Sequence, residues 1–420
     1  MYHLHRNCRA CQYGPKPTPA GIKSGAGSDR LIEVLDLGIQ PLANDFQDES
    51  GNFAGFAPLK VLFCPRCSLA QLSVVVRPDI LYSNYSYTTS TSATMLRHFV
   101  SLWKDIQTDG INERILEIGS NTGKFLKFVG ERGARQVLGI DPAENLCEIA
   151  TRDNLVPTIC KPFNRESAEE AAGMMRTCDA VVARHVFCHI DDWKTFIENL
   201  KLVGRKDTLF CIEVPYAPDM LKMNSFDQIY HEHLSYLTVR SVNSLLDGSG
   251  LHIHNVRKYP IHGGAIVIFL RWDESDISPV LKTWSELISE NVTAEDWKAF
   301  AARAKEQQQK LKATIEVLLA QGKTVVGFGA SAKSTVWINA CGLTRKHLRF
   351  ICDSTPQKQY KLTPGTDIPI VDEGALLREL PDYAVCFAWN FLPEIQESQK
   401  LYIEKGGRFI VPVPEVKIAG

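Results

Sequence analysis

The sequence predicts an α/β protein in which a small β-rich N-terminal module precedes two Rossmann-like α/β domains in tandem. First, two Cys-x-x-Cys pairs lie in alternating apolar segments that have the character of short strands. Second, from about residue 93, strand-length and helix-length runs alternate from RILEIG to AIVIFL, which indicates a parallel sheet flanked by helices. Third, a similar series starts at TVVGFG. We therefore expect a module at 1–80, a domain at 81–275, and a domain at 276–420 that opens with a helical connector.

Size and composition restrict the classes of protein to consider. At 420 residues the chain is too long for one ordinary core. Lys and Arg number 47 against 48 Asp and Glu, so no overall positive field would attract nucleic acid or a membrane surface. The N-terminus has no apolar signal-peptide core, and no run of about 18 apolar residues follows. We expect a cytoplasmic protein with no nucleic-acid or membrane partner.

The two cysteine pairs predict a metal site. They provide four thiolates that can close a tetrahedral shell with no open position, which is typical of structural zinc. Arg66 lies within the second pair and can balance the negative charge of such a centre. The alternative is that these are core thiols or a redox pair. The remaining cysteines are scattered in apolar runs and are expected to be buried and reduced. The predicted metal ligands are Cys8, Cys11, Cys64 and Cys67.

A glycine-containing turn in the first α/β domain predicts a nucleoside site. A hydrophobic strand runs through Glu117 into Gly119 and Gly123, where the backbone can approach a ligand closely. Asp141 ends the next strand and can accept hydrogen bonds from ribose hydroxyls. This E-x-G-x-x-x-G turn resembles motif I of class I S-adenosylmethionine methyltransferases, with Glu117 near the methionine amino group; an NAD-type turn is the alternative. The predicted cofactor-binding residues are Glu117, Gly119, Asn121, Gly123, Asp141 and Pro142.

Two further segments concentrate groups that can move protons. His189 follows the strand-like run DAVVARH, where it is either catalytic or a structural histidine. Tyr230, His231, Glu232 and His233 are consecutive, and their alternative interpretation is an exposed polar turn or a metal site.

The C-terminal domain carries a dinucleotide-like fingerprint. Gly327 to Ala332 satisfies G-x-G-x-x-A between a predicted strand and a helix, and Asp353 ends the following strand. Taken alone, this favours an NAD-binding oxidoreductase, which is the alternative to a methyltransferase.

The whole chain resembles the sugar C-methyltransferases that act on nucleotide-linked 4-keto-deoxysugars. The resemblance rests on CRAC with CPRC, LGIQPLAND, the Tyr85-Ser-Tyr87 stretch, LEIGSNTG, HVFCHIDD, YHEHLSY, IHGGAI, GFGASAKS and DSTPQKQYKLTPGTDIPI. It implies a zinc-binding domain, a class I methyltransferase domain and a C-terminal α/β domain, in that order. It also implies C-methylation, at carbon three, of a nucleotide-diphosphate-linked keto sugar by a monomer or weak homodimer. O- or N-methylation of another small molecule, or a non-catalytic zinc scaffold, are the alternatives.

The resemblance also assigns roles to residues. His233 matches the general base that forms an enolate, Glu232 would hold its imidazole in the useful tautomer, and Tyr230 would donate to the enolate oxygen. His189 and one of Tyr85 and Tyr87 match residues that line the same pocket. The turn at Lys333 would receive the pyrophosphate on its backbone amides. The implied substrate-binding residues are His262, Gly263, Ala330, Ser331 and Lys333.

Two positions depart from the family pattern. Ser334 stands where glycine is expected, and Ala265-Ile266 follows Gly264 in place of Ser-Leu-Arg. Both positions are candidates for contact with the acceptor, so the acceptor is expected to differ from the usual thymidine-diphosphate deoxysugars.

Overall fold

The computed structural model describes residues 1–12, 30–47, 54–82, 85, 88, 92–108, 113–272 and 291–419. Its N-terminal part is rich in β-structure, as predicted. The strands are β1 (Tyr2–Leu4), β2 (Ile32–Pro41), β3 (Phe56–Phe63), β4 (Ala70–Leu72) and β5 (Val74–Val76), and helix α1 (Pro78–Tyr82) follows. Alternate residues of β3 are buried, because successive side chains of a strand point to opposite faces. Strand β1 pairs with β5, whereas β2, β3 and β4 form an antiparallel sheet.

The central domain is a seven-stranded sheet with helices on its faces. In chain order it comprises α2 (Ala93–Thr108), β6 (Arg114–Ile118), α3 (Lys124–Gly130), β7 (Gln136–Asp141), α4 (Glu144–Arg152), β8 (Thr158–Cys160), α5 (Arg165–Met175), β9 (Ala180–Arg184), α6 (Trp193–Val203), β10 (Leu209–Pro215), α7 (Ala217–Met223), β11 (Ser235–Tyr236), α8 (Val239–Leu246), β12 (His252–Tyr259) and β13 (Ala265–Arg271). The strand order is β12-β13-β10-β9-β6-β7-β8.

Two strands of this domain differ from the simple parallel prediction. Strand β13, the AIVIFL segment, is antiparallel to both β10 and β12. The connection from β12 to β13 is too short for the crossover that parallel strands require, so the chain forms a hairpin. Strand β11 leaves the domain altogether and pairs with β4, so the N-terminal sheet has the order β11-β4-β3-β2.

The C-terminal domain contains a second, mainly parallel sheet, as predicted. Its elements are α9 (Ala294–Ala320), β14 (Val325–Phe328), α10 (Ala332–Ala340), β15 (Ile351–Cys352), β16 (Ile370–Val371), α11 (Ala375–Glu379), β17 (Tyr383–Cys386), α12 (Leu392–Ser398), α13 (Lys400–Glu404), β18 (Arg408–Val411) and β19 (Lys417–Ala419). The strand order is β16-β15-β14-β17-β18-β19, and only the pairing of β18 with β19 is antiparallel within the described sheet.

The helix α9 joins the three parts of the chain through a shared core. It buries one face, which carries Trp297, Phe300, Leu311 and Ile315 at helical spacing. The core to which these residues belong also takes side chains from the N-terminal sheet, from the segment 217–236 and from the C-terminal domain. The boundaries near 80 and 275 stay predictions, and they cut through this common core. Among the helices described, none combines the length and apolar character that a membrane span needs.

Candidate active site

A cavity of about 610 Å³ lies where the three parts of the chain meet. The last residues of β6, β7 and β9 line it, so it occupies the carboxyl ends of the parallel strands, where open α/β sheets bind ligands. The sequence-predicted residues that line it are Tyr85, Gly119, Asn121, Asp141, Pro142, His189, Tyr230, His233, His262, Ser331 and Lys333. Those outside its lining are Glu117, Gly123, Glu232, Gly263 and Ala330. Tyr87 lies outside the described residues.

His233 lies in the turn that leads into β11, and its tautomer follows from its contacts. Its Nδ1 is 2.8 Å from the carbonyl oxygen of Gln228, which can only accept, so Nδ1 carries the proton. The lone pair of Nε2 then accepts a hydrogen bond from the Tyr230 hydroxyl at 2.7 Å. Burial lowers the pKa of His233 well below its usual value. The side chain is therefore a neutral imidazole whose Nε2 can act as a base.

Glu232 does not hold this tautomer, contrary to the role that the resemblance implies. Its carboxylate accepts hydrogen bonds from Asn44 Nδ2 at 2.8 and 2.9 Å and from the Tyr85 hydroxyl at 2.7 Å. Consecutive residues of the turn face different sides, so Glu232 points toward the N-terminal part while His233 faces the cavity. Burial raises the pKa of Glu232 to about 7. These hydrogen bonds hold the turn that carries His233 against Asn44 and Tyr85.

His189 lies beside His233 in the cavity wall. The centroids of the two imidazole rings are 5.2 Å apart, and the ring of Tyr82 stacks on His189 at 5.8 Å. Burial lowers the pKa of His189 to about 3, so this ring is also neutral. Its Nε2 is buried without a hydrogen-bond partner among the described residues. A bound ligand can supply that partner.

His231 faces away from this pair. Its Nε2 is 3.2 Å from the carbonyl oxygen of Ala57 in β3, and the side chain is buried against the N-terminal sheet. His231 and His233 therefore face different sides, because these residues form a turn rather than a strand.

The C-terminal wall of the cavity contains two lysines, of which Lys358 is buried and Lys333 is half-buried. Lys333, in the first turn of α10, lies 4.8 Å from the Trp389 ring centroid and 3.3 Å from Asn390 Oδ1. Lys358 Nζ donates to the carbonyl oxygen of Ala330 at 2.8 Å. Burial lowers the pKa of both lysines.

Ser334 has a structural explanation that removes it from contact with the acceptor. The Ser331 side chain caps α10 by accepting from the Ser334 amide, and the Ser334 hydroxyl accepts from the Ser331 amide at 2.9 Å. This reciprocal pair is a capping box. Ser334 is fully buried and lies outside the cavity lining.

Gly263, Ala330 and Asp353 act through packing and backbone contacts. A Cβ on Gly263 would lie 2.6 Å from the Trp389 ring, so this position has no space for a side chain. The Asp353 carboxylate accepts from the amides of Ala330 at 2.7 Å and Thr355 at 2.8 Å, and it does not line the cavity. Because Asp353 does not line the cavity, its carboxylate is not available to the ribose of a ligand bound there, whereas that of Asp141 is.

Asp227 joins the turn of His233 to the C-terminal domain. Its Oδ2 accepts hydrogen bonds from the indole N–H groups of Trp389 at 2.7 Å and Trp337 at 3.1 Å. Asp227 immediately precedes Gln228, whose carbonyl oxygen orients His233. Burial raises the pKa of Asp227, and the charge of Lys333 offsets only part of that rise.

The opposite end of the cavity lies against the predicted cofactor turn. Gly119 has φ of 68°, and a Cβ there would lie 2.1 Å from Val186 Cγ2. Asp141 accepts hydrogen bonds from the amides of Asn121 at 2.8 Å and Ala143 at 3.0 Å. These contacts shape a turn in which bare backbone and a carboxylate face one space.

Glu117 is separated from that space by an ion pair. Its Oε1 accepts from Arg184 Nε at 2.8 Å and lies 2.7 Å from Nη2. Arg184 lines the cavity, whereas Glu117 is fully buried and does not. Burial raises the pKa of Glu117 to about 7, and Arg184 opposes that rise.

The four predicted metal ligands come together. Their sulfur atoms all lie within 4.8 Å of one another, with Cys8 Sγ 3.4 Å from Cys67 Sγ and Cys11 Sγ 3.6 Å from Cys64 Sγ. Thiolates at about 2.3 Å from zinc in a tetrahedron are about 3.8 Å apart, so both distances fit a four-thiolate zinc site.

Comparison with known proteins agrees with these three parts. Family models match a zinc binding domain at residues 26–82, a methyltransferase domain at 93–256 and a C-methyltransferase C-terminal domain at 260–414. The C-methyltransferase NovU from Streptomyces niveus is 36% identical over 404 residues, which cover 93% of this chain and 95% of NovU. The chain belongs to the C-methyltransferase family. This C-methyltransferase depends on S-adenosylmethionine and contains a zinc-binding domain.

Two solved structures that are similar to this C-methyltransferase each cover less than half of it. An S-adenosylmethionine-dependent methyltransferase from Anabaena variabilis ATCC 29413 is 14% identical, covering 43% of this chain and 85% of that chain with a TM-score of 0.35. Magnesium protoporphyrin IX methyltransferase (ChlM) from Synechocystis PCC 6803, with bound SAH, is 12% identical, covering 44% and 90% with a TM-score of 0.34.

The cavity of this C-methyltransferase fits S-adenosylmethionine by its own chemistry. Gly119 exposes backbone at the turn, and Asp141 presents a carboxylate suited to a ribose. Glu213, near the end of β10, also lines the cavity, and its Oε2 is a buried acceptor without a hydrogen-bond partner among the described residues. The cavity therefore offers carboxylate acceptors to a ligand that carries hydroxyl and ammonium donors, as S-adenosylmethionine does.

Several residues of the site were not predicted from the sequence. Gln228 acts through a backbone carbonyl, which no side-chain pattern reveals. Lys358 lies in the quoted segment DSTPQKQYKL, so its charge was a usable signal. Those that line the cavity include Asn44, Tyr82, His98, Arg184, His185, Glu213, Gln228 and Lys358.

Proposed function

We propose that this C-methyltransferase acts on a nucleotide-diphosphate-linked 4-keto-deoxysugar and methylates the carbon beside the ketone, at carbon three. The observation that carries the proposal is the state of His233. Its Nδ1 proton is held by the Gln228 carbonyl, and burial keeps the ring neutral, so Nε2 can accept a proton near neutral pH. A base is required for C-methylation beside a ketone, whereas transfer to a nucleophilic oxygen or nitrogen needs no enolate.

The proton transfer assigns roles to the groups around His233. Nε2 takes the proton from the carbon next to the ketone, and the electrons of that C–H bond form the enolate. The Tyr230 hydroxyl now donates to Nε2 at 2.7 Å, so it must release this atom, and the enolate oxygen is the acceptor to which it turns. His189, with an unpartnered Nε2, is placed to contact the same sugar. Bound S-adenosylmethionine supplies the electrophilic methyl group that the enolate carbon accepts.

The diphosphate is assigned to the C-terminal wall. Lys333 and Lys358 both line the cavity, and Ser331 caps the N-terminus of α10, where backbone amides and the helix dipole favour an anion. Both lysines are partly withdrawn from water, which lowers their pKa values and strengthens their attraction for a phosphate. His262 and Tyr85 are assigned to the sugar between the two ends.

The test is the variant His233→Ala with a keto-sugar nucleotide in heavy water. We expect methyl transfer and hydrogen exchange at the carbon next to the ketone to fall together by at least about 100-fold, the usual contribution of a general base. Calorimetry should show that S-adenosylhomocysteine still binds.

The control is His347→Ala, a histidine of the C-terminal domain that does not line the cavity. It should keep both rates. Exchange that persists in His233→Ala would show that another group is the base. Transfer without exchange in the wild-type enzyme would favour O- or N-methylation.

A further inference from the structure

Glu117 and Glu213 are both buried carboxylates at the core of the central sheet, but they differ in access to the cavity. Glu117 is paired with Arg184 through Oε1, its Oε2 has no hydrogen-bond partner among the described residues, and it does not line the cavity. Glu213 lines it, and its Oε2 has no hydrogen-bond partner within the described part of the chain. An unpaired buried carboxylate oxygen is costly unless a ligand completes its hydrogen bonds.

The position of Glu213 relative to Arg184 creates a site with two opposite charges. Glu213 and Arg184 are direct partners in the parallel pairing of β10 with β9, and both side chains line the cavity. A carboxylate beside a guanidinium matches the ammonium and carboxylate of an α-amino acid. The turn at Gly119 and the carboxylate of Asp141 border the same space.

Two histidines support the negative charge of Glu213. His98 Nε2 lies 2.8 Å and His185 Nε2 3.5 Å from Glu213 Oε1, so both contacts leave Oε2 free. Burial alone would raise the pKa of Glu213, but its electrostatic interactions with these histidines hold it well below its usual value. Glu213 is therefore an anion that faces the ligand space.

We infer that Glu213 accepts the α-ammonium group of the S-adenosylmethionine amino acid and that Arg184 faces its α-carboxylate. In this arrangement Glu117, the acidic residue of the glycine turn, is a positioning residue that fixes Arg184. The inference corrects the role that the sequence motif suggested for Glu117, and it does not depend on which acceptor is methylated.

The test compares two ligands by calorimetry in the intact zinc-loaded enzyme. S-adenosylhomocysteine has the amino acid end, whereas 5′-methylthioadenosine lacks it. Because a hydrogen bond to a charged group contributes about 1.5–3 kcal/mol, we expect Glu213→Gln to weaken S-adenosylhomocysteine about 10- to 100-fold. Its binding of 5′-methylthioadenosine should change by less than about threefold, which also shows that the variant is folded.

The matched variant is Glu117→Gln, which should change the ratio of the two affinities less than Glu213→Gln does. Equal losses of both ligands in Glu213→Gln would assign Glu213 a structural role. Unchanged binding of S-adenosylhomocysteine in Glu213→Gln would overturn the inference, and Glu213 Oε2 would then be assigned to a hydroxyl of the acceptor. A selective loss in Glu117→Gln that exceeds the loss in Glu213→Gln would also overturn it. If Glu213→Gln does not fold, Glu213→Asp is used in its place. Aspartate keeps the negative charge but has a shorter side chain, so the carboxylate lies farther from the ligand, and the inference predicts the same selective loss.

Discussion

The hydrogen bonds of a single residue, His233, decide which chemistry the cavity can support. A carbonyl acceptor at Nδ1 leaves Nε2 with its lone pair, and no carboxylate contacts the ring among the described residues. A carboxylate partner would raise the pKa of the imidazole strongly, whereas burial lowers it and the hydrogen bond to the Gln228 carbonyl offsets only part of that effect. His233 is thus a weak base whose ring is neutral, and so able to accept a proton, near pH 7.

This state of His233 predicts an unusual pH dependence. The pKa of His233 is well below the usual 6.5. The ring therefore stays neutral as the pH falls from 8 to 6.5, and it becomes protonated only below pH 6.5. We expect His233 to add no step to the kcat/KM profile above pH 6.5, whereas Glu232 and Glu117, whose pKa values burial raises to about 7, can add steps there. pH–rate profiles of the wild type, Glu232→Gln and Glu117→Gln with S-adenosylmethionine saturating separate these groups. A midpoint at or above pH 6.5 that persists in both variants would contradict the assignment.

The sequence was informative where a role depends on neighbours in the chain. The cysteine pairs and the glycine turn are local patterns, and their residues lie where the patterns indicate. The partners of Glu232 could not be predicted, because Asn44 is 188 positions away and meets it only through the pairing of β11 with β4. The tautomer of His233 was equally hidden, since Gln228 contributes only its carbonyl oxygen.

Among the secondary-structure elements, the turn between β6 and α3 has the strictest requirement. Gly119 combines a left-handed φ of 68° with the close approach of Val186, the second residue after β9. The turn therefore depends both on the conformation of its own backbone and on the segment that follows a neighbouring strand.

Replacing Gly119 tests the turn against a control with the same backbone. Gly248 has φ of 72°, but nothing lies within 4 Å of a Cβ there. Gly248→Ala should lose about 1–2 kcal/mol of unfolding free energy from its backbone alone. Gly119→Ala should lose more and should also bind S-adenosylhomocysteine at least about tenfold more weakly, since Val186 must shift. Thermal unfolding and calorimetry measure both effects. Equal behaviour of the two variants would remove the steric argument.

At the scale of the whole molecule, the zinc cluster is connected to the catalytic turn. Arg9, next to Cys8, donates through Nη1 to the carbonyl oxygens of Leu72 and Leu234, and Leu234 follows His233 directly. Strand β11 then continues the N-terminal sheet. The metal site therefore supports the segment that carries His233. The expected cytoplasmic location and the expected monomer or weak homodimer stay predictions from the sequence.

Loss of zinc should therefore have a larger effect on turnover than on the affinity for the cofactor. In Cys64→Ser we expect less than one zinc per chain and a kcat lowered at least about tenfold, because a structural site that loses a ligand binds metal poorly. The Kd of S-adenosylhomocysteine should change less. Cys160→Ser, an exposed cysteine outside the cluster, is the control. Metal analysis beside steady-state kinetics tests this, and full turnover by zinc-free protein would refute the connection.

The hydrogen bonds of Asp227 to Trp337 and Trp389 have a practical consequence for building hybrid enzymes. A C-terminal domain taken from a relative would bring its own residues to the two indole positions, while the recipient keeps the acid that holds them. A hybrid joined in the segment between β13 and α9 therefore inherits this contact only when donor and recipient agree at all three positions. The C-terminal domain is best exchanged together with the stretch from Phe226 to Tyr236. Asp227, its two tryptophan partners and the turn that carries His233 then come from the same parent protein.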